Sequence, residues 1–334
     1  MFLVDYKNCI FCGGNKFKKI NNQAFKNNFY MDAIVEDFSL SNRFLKKIKT
    51  YQCQNCYILQ NSPWFSEDIS RKIYSNIYGQ HNRSWSNLIN FLKKGNTPEH
   101  GDLFKKLNKF IKIKNYAEFN SAFMGIFLNH FLKELPYNKK LYNSLYKNII
   151  CYLTSRQVAG QTKIDQRKGL IKSKKSLATI RSIKKKIVKK KINKFLVIDN
   201  SHLMWSQNDN HKSVNSRSFA SELLDLKVLP LNKKINIKFD LFGIFHTLDH
   251  TFNPSKILNF GLNNSKYVVV YCHINEQVEK QHLFSITEKF LKYLKKKKIY
   301  SLNLTQIINK KFKSPELYFL CTKNKKLGYK LQNI

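Results

Sequence analysis

The apolar positions of this chain fall into short unbroken runs in its second half, with helical spacing between them. Lys194-Phe195-Leu196-Val197-Ile198-Asp199 is such a run closed by an acid, which predicts a buried strand. Phe239 to His246 and Lys266 to Cys272 are longer runs, rich in β-branched and aromatic residues. Lys227 to Pro230, Ile299 to Leu304 and Leu317 to Thr322 read as further strands. Ile111 to Phe119 predicts another, with a turn over Asn120 to Gly125 after it. Helical spacing recurs over Ser66–Tyr78, Ser84–Lys94, Leu103–Phe110, Ile126–Leu135, Ser218–Leu226, Asn253–Phe260 and Thr287–Lys296. Strands alternating with helices predict an α/β fold, a mostly parallel sheet with helices on both faces. The first 62 residues differ and read as short strands and turns. Residues 137–193 are Lys-rich and poorly periodic at their centre, which reads as a basic insertion.

Four of the seven cysteines form two pairs, Cys9-Ile10-Phe11-Cys12 and Cys53-Gln54-Asn55-Cys56. Two such knuckles suit one tetrahedral Zn²⁺ in a closed four-cysteine site, because each tight turn presents two thiolates to one ion. Gly13 and Gly14 follow the first knuckle, where the backbone must fold around sulfur. A disulfide reading lacks a secretion signal, and neither pair opens a helix after a parallel strand as a redox pair would. Cys151, Cys272 and Cys321 are isolated and are expected to be buried, inert thiols.

Composition changes this picture little. The chain has 334 residues, 60 Lys plus Arg against 21 Asp plus Glu, and a formal charge of +39. Such a charge invites a nucleic-acid partner, because Lys and Arg displace counterions from phosphate. Only 7 of the basic residues are Arg, and Lys, Asn, Ile, Phe and Tyr are all abundant. A compositional bias of the genome therefore accounts for most of the charge, and nucleic acid is not the favoured partner. The densest basic run, Lys184 to Lys191, reads as a solvated helix face; phosphate or an anionic membrane surface is its other reading. No stretch of 18 uncharged apolar residues exists, so no transmembrane helix is expected. The segment Met1 to Cys9 carries Asp5 and Lys7 and lacks a signal-peptide core, so a cytoplasmic protein is expected.

The order of these parts resembles the class I S-adenosylmethionine-dependent methyltransferases that carry an N-terminal zinc-binding domain, the sugar C-methyltransferases among them. The matching pieces are the paired knuckles followed by Tyr57-Ile58-Leu59-Gln60, then Ile73-Tyr74-Ser75-Asn76-Ile77-Tyr78. Further on come Phe239 to Ile244 with Leu248-Asp249-His250 and Asn253-Pro254, then Gln281-His282-Leu283-Phe284-Ser285. The resemblance implies a zinc-binding module at 1–65, a helical connector at 66–110, and a Rossmann-like methyltransferase domain at 111–334 carrying the insertion. It implies cofactor contacts at Glu118, Asn120 and Gly125 after the first strand and at Asp199 after the second. It implies His282 as the base, with His250 as second candidate, and Tyr78 orienting the substrate, a nucleotide-linked sugar or related surface-polysaccharide metabolite. Two departures stand out. Where the family has a glycine-rich turn, this chain has Phe119, Phe123 and Met124, and Gly125 alone remains. Where the family has Glu before the histidine, this chain has Gln281. Two other readings stay open: a catalytically inactive binding protein of the same fold, and a nucleic-acid-modifying protein.

Overall fold

The computed structural model describes residues 3–20, 47–70, 115–119, 163–188, 194–199, 227–230, 238–245, 248–273, 282–305 and 316–332, with isolated positions at 107–113, 144–151 and 236. The elements, in chain order, are β1 (Leu3–Val4), β2 (Phe17–Lys19), β3 (Lys49–Cys53), β4 (Leu59–Ser62), β5 (Trp64–Phe65) and β6 (Asn115–Phe119). Then come α1 (Lys163–Val188), β7 (Lys194–Asp199), β8 (Lys227–Pro230), β9 (Phe239–Phe245), α2 (Pro254–Asn264) and β10 (Ser265–His273). The last are β11 (Phe284–Ser285), α3 (Phe290–Lys296), β12 (Tyr300–Asn303), β13 (Glu316–Thr322) and α4 (Lys325–Leu331).

Seven strands form one mixed sheet in the order β12-β13-β10-β9-β6-β7-β8. The five strands from β8 to β10 are parallel, and counted from β6 they run 3-2-1-4-5, the doubly wound order. β13 lies antiparallel to β10, and β12 antiparallel to β13. The order reverses between β6 and β9. In doubly wound sheets ligands occupy the crevice beyond the carboxyl ends of the strands at that point.

Alternation along the strands divides the core between the two faces. One face carries Ala117, Phe119, Phe242, Ile244, Val268, Val270 and Cys272 against Ile257 and Leu258 of α2 and Phe290 and Leu294 of α3. The other carries Tyr116, Leu241, Phe245, Val269 and Tyr271 with Leu331 of α4. There Tyr271 and Tyr318, directly paired across β10 and β13, stack at 4.0 Å. β9 is buried along its whole length, as an apolar run in the centre of a sheet requires.

Three details of the structure bear on the sequence expectations. The first strand begins at Asn115, not Ile111: Ile111 is helical, and its side chain packs under the second face beside Leu107 and Phe110. The segment 137–193 contains the 26-residue α1, on the path of the crossover from β6 to the parallel β7. Its buried stripe, Ser173, Ser176, Ile180 and Ile183, has helical spacing, while Lys185 and Lys186 stay exposed. Third, the described N-terminal residues share a core with the main sheet. β11, from the far end of the chain, pairs antiparallel with β4 and completes a four-stranded sheet in the order β11-β4-β3-β2. Cys9, Phe11, Cys53, Cys56 and Ile58 share one cluster with Phe242 and Phe319, and Phe11 meets the Phe290 ring edge-on at 4.8 Å. Among the described residues no helix is long and apolar enough to cross a membrane.

Candidate functional site

The four paired cysteines converge. Their Sγ atoms all lie within 4.8 Å of one another, with Cys9–Cys56 at 3.4 Å and Cys12–Cys53 at 3.6 Å. A tetrahedral ion with Zn–S bonds of about 2.3 Å sets its sulfurs about 3.8 Å apart, so the group is able to hold one metal ion. The two knuckles repeat one device. The residue after each second cysteine turns left-handed, Gly13 at φ +73° and Tyr57 at φ +65°. Glycine adopts this freely; Tyr57 does so at a strain of about 1–2 kcal/mol. The Tyr57 carbonyl accepts a hydrogen bond from Thr287 Oγ1 at 2.8 Å, and Lys296 Nζ stands 5.7 Å from its ring centroid, both from the other half of the chain. Hydrogen bonding from Cys56 pulls the Cys9 thiol down to about 6 against the effect of burial, and the amides of Cys12 and Phe11 act the same way. Burial pushes Cys12 up to about 11.

At the crevice, Glu118 occupies the carboxyl end of β6, 1% exposed, and accepts a hydrogen bond from Tyr116 Oη at 2.7 Å. It pairs across to Gly243 of β9. A Cβ at Gly243 would lie 2.5 Å from Tyr116 Oη and from the Phe245 ring, so the missing side chain makes room for the phenol that holds Glu118. Asp199 ends β7, the next strand, opposite Pro230. Two acids therefore close adjacent parallel strands beside the point where the order reverses. Asn120 and Gly125 of the turn after β6 lie outside the described residues, as do Tyr78, Phe123 and Met124.

His282 precedes β11 and is 1% exposed. Its Nε2 stands 4.0 Å from Oδ2 of Asp249, itself fully buried in the 3-10 turn Leu248–His250 after β9. That separation is an ion-pair distance, not a hydrogen bond. Gln281, which lacks the family's charge, lies outside the described residues; Asp249 brings a carboxylate to the histidine from another element. Sequence reasoning placed Asp249 in this loop but gave it no role, because nothing in a stretch 33 residues away points to His282. The His282 carbonyl accepts from Asn61 Nδ2 at 3.0 Å, and the Asn61 amide donates to Leu283 O at 2.8 Å. Asn61 Oδ1 accepts from Thr50 Oγ1 at 2.8 Å. The strand leaving the second knuckle thus holds the segment that carries His282. His250 lies in the same turn as Asp249. Of the isolated cysteines, Cys272 and Cys321 are fully buried and burial pushes both thiols up, as expected of inert ones. Cys151 is half-buried.

No protein-family profile matches the chain. No curated protein matches it in sequence. Among solved structures it is similar to a candidate O-methyltransferase from Klebsiella pneumoniae, with 10% identity and a TM-score of 0.36, over 71% of this chain and 88% of that one. It is also similar to the plantazolicin methyltransferase BpumL in complex with SAH, with 11% identity and a TM-score of 0.40, over 77% of this chain and 95% of that one.

Proposed function

We propose that this protein is an S-adenosylmethionine-dependent methyltransferase of the cytoplasm, acting on a nucleotide-linked sugar or related small metabolite, with a structural zinc at its four paired cysteines. The observation that carries the proposal is the 3-2-1-4-5 order with Glu118 and Asp199 closing the first two strands at the reversal point. Acids in these places fit a ligand rich in hydroxyl and ammonium donors. Asp199 would accept from both ribose hydroxyls. The Glu118 carboxylate accepts a hydrogen bond from Tyr116 Oη. Glu118, at the carboxyl end of β6, would face the cationic end of the cofactor. When bound, S-adenosylmethionine supplies an electrophilic methyl group on a sulfonium. The chain must align the acceptor with that methyl and remove the acceptor's proton. His282 takes the proton, and Asp249 favours the imidazolium that results. Asn61 and β4 fix the backbone around the base, so the metal-bearing sheet serves the chemistry by holding His282 still.

One observation favours a second reading, an inactive protein of the same fold: both Glu118 and His282 are 1% exposed. Thermal unfolding with S-adenosylhomocysteine separates the two, since a ligand that binds only the folded state raises its stability. The enzyme reading expects a rise in melting temperature that Asp199→Ala removes. No rise at millimolar ligand would refute it.

A further inference from the structure

A cavity of about 760 Å³ opens at the amino-terminal ends of β9 and β10, the end of the sheet opposite the crevice. Its volume lies within the range of small-molecule sites, about 300–1,000 Å³. Its composition is unusual even for this chain. Five of its thirteen lining residues are lysines, Lys238, Lys266, Lys323, Lys326 and Lys330, against 53 lysines in 334 residues overall. Lys266 is neutralised by Asp240 at 2.7 Å, and Asp240 is fixed in turn by the Asn115 amide at 2.9 Å. Among the described residues, Lys323 reaches two neutral acceptors, Asn263 Oδ1 at 2.9 Å and Asn259 Oδ1 at 3.5 Å. Among the described residues no carboxylate pairs with Lys238, Lys326 or Lys330. The two walls explain why: the sequence holds no Asp or Glu from 250 to 272 or from 317 to 334. Like charges gathered around a concave surface create a strong positive field that a mobile anion relieves. The remaining wall sets apolar and aromatic residues beside Ser265, Thr322 and Asn324. Phe110 and Tyr267 line it with ring centroids 6.2 Å apart, beside Ile111 and Leu262.

We propose that this cavity binds a nucleoside polyphosphate, with phosphates on Lys238, Lys326 and Lys330 and the base against Phe110 and Tyr267. Lysines alone would suit any polyanion; the aromatic wall within the same cavity selects one that carries a flat apolar group. The lysines surround a hollow instead of forming a stripe along the surface, which fits a small ligand better than a nucleic-acid strand. The site is independent of the methyl-transfer reading, because it stands at the other end of the sheet.

The test titrates the full chain with ATP, tripolyphosphate and adenosine by calorimetry at about 0.15 M salt, where exposed charges are screened beyond about 8 Å. Saturable one-to-one binding of ATP is expected, tighter than that of tripolyphosphate or adenosine. The exposed triple variant Lys238→Glu, Lys326→Glu, Lys330→Glu should weaken it at least about tenfold, since each charge-assisted bond is worth that much. The triple variant Lys174→Glu, Lys175→Glu, Lys185→Glu changes net charge equally on the exposed side of α1 and should leave it within about twofold. Any of four results overturns the proposal: no saturable ATP binding, equal losses in the two variants, displacement of ATP by S-adenosylhomocysteine, or a single-stranded oligonucleotide that binds the cavity more tightly than ATP. Tripolyphosphate binding as tightly as ATP would overturn it as well, because the proposed ligand owes part of its hold to the base. None of these measurements depends on methyl transfer.

Discussion

Replacing Asn61 by Ala tests whether the cysteine-bearing sheet and the main sheet are one cooperative body. Asn61 is fully buried and its side chain makes two hydrogen bonds, donating to the His282 carbonyl and accepting from the Thr50 hydroxyl. The alanine keeps the backbone bond to Leu283 but removes one hydrogen bond from each partner, and Thr50 is only 2% exposed. A buried hydrogen bond lost in this way costs about 1–3 kcal/mol, so Asn61→Ala, which loses two, should cost roughly 2–6 kcal/mol. That is a large fraction of a typical total of about 5–15 kcal/mol. Thr50→Val strands only the Asn61 oxygen and should cost less. The double variant should cost less than the sum, because both changes remove the same bond between Thr50 and Asn61. Urea unfolding followed by far-ultraviolet circular dichroism reports the whole sheet; in a background with Trp85→Phe and Trp205→Phe, the fluorescence of Trp64, buried in β5, reports the N-terminal part. Both transitions should shift together. A loss under about 0.5 kcal/mol, or a fluorescence shift without a dichroism shift, would refute the argument.

The remaining expectations are shorter. Gly243→Ala places a methyl 2.5 Å from Tyr116 Oη and should destabilise by about 1–3 kcal/mol; combining it with Tyr116→Phe should recover part of that loss in denaturant unfolding, and simple additivity would contradict the proposed crowding. Elemental analysis should find one zinc per chain, abolished by Cys53→Ser; because the sulfurs share the main core, melting of the whole chain should fall by roughly 10 °C or more, and an unchanged main transition would contradict this. His282→Gln should abolish methyl transfer yet keep the stabilisation by S-adenosylhomocysteine; retained turnover would remove His282 as the base. Burial, with the Glu67 charge adding to it, holds the Tyr6 phenol up at about 12, and burial, then the cysteine charges, holds Tyr293 there too. Both then bind protons more tightly folded than unfolded, so their contribution is complete below pH about 10 and is lost as pH rises towards 12. Alkaline titration of stability should fall across that window, and Tyr6→Phe should make the fall shallower.

The central strands were legible because each is a continuous apolar run that only a doubly covered strand can use: Phe239–Phe245 and Ser265–His273 lie within a residue of the expected bounds. α4 was missed because its run of lysines hides two inward positions, Gly328 and Leu331. Its one signal was Asn324, whose side chain accepts from the Leu327 amide as an N-cap. β1, β5 and β11 have two residues each and leave no period to read. The four metal-type cysteines were legible because knuckle spacing is a local property. The grip of Asn61 on the His282 segment and the approach of Asp249 to it were not, because they depend on pairings across 221 and 33 positions that no local pattern encodes. Glu118 was legible as a strand-end acid; that a phenol two residues earlier would hold it needed the empty space at Gly243.

The pairing of β11 with β4 also sets a timetable for biogenesis. Gln60 waits for Phe284, 224 positions later, before its outer edge is covered. At a translation speed of about 5–20 residues per second that interval is roughly 11–45 s. Throughout it the nascent chain presents an open strand next to reactive thiols, a surface prone to pairing with strangers. An ion captured early would cover the cysteine pairs during this interval, and on that account chelator added during in vitro translation should lower the soluble yield far more than chelator added afterwards.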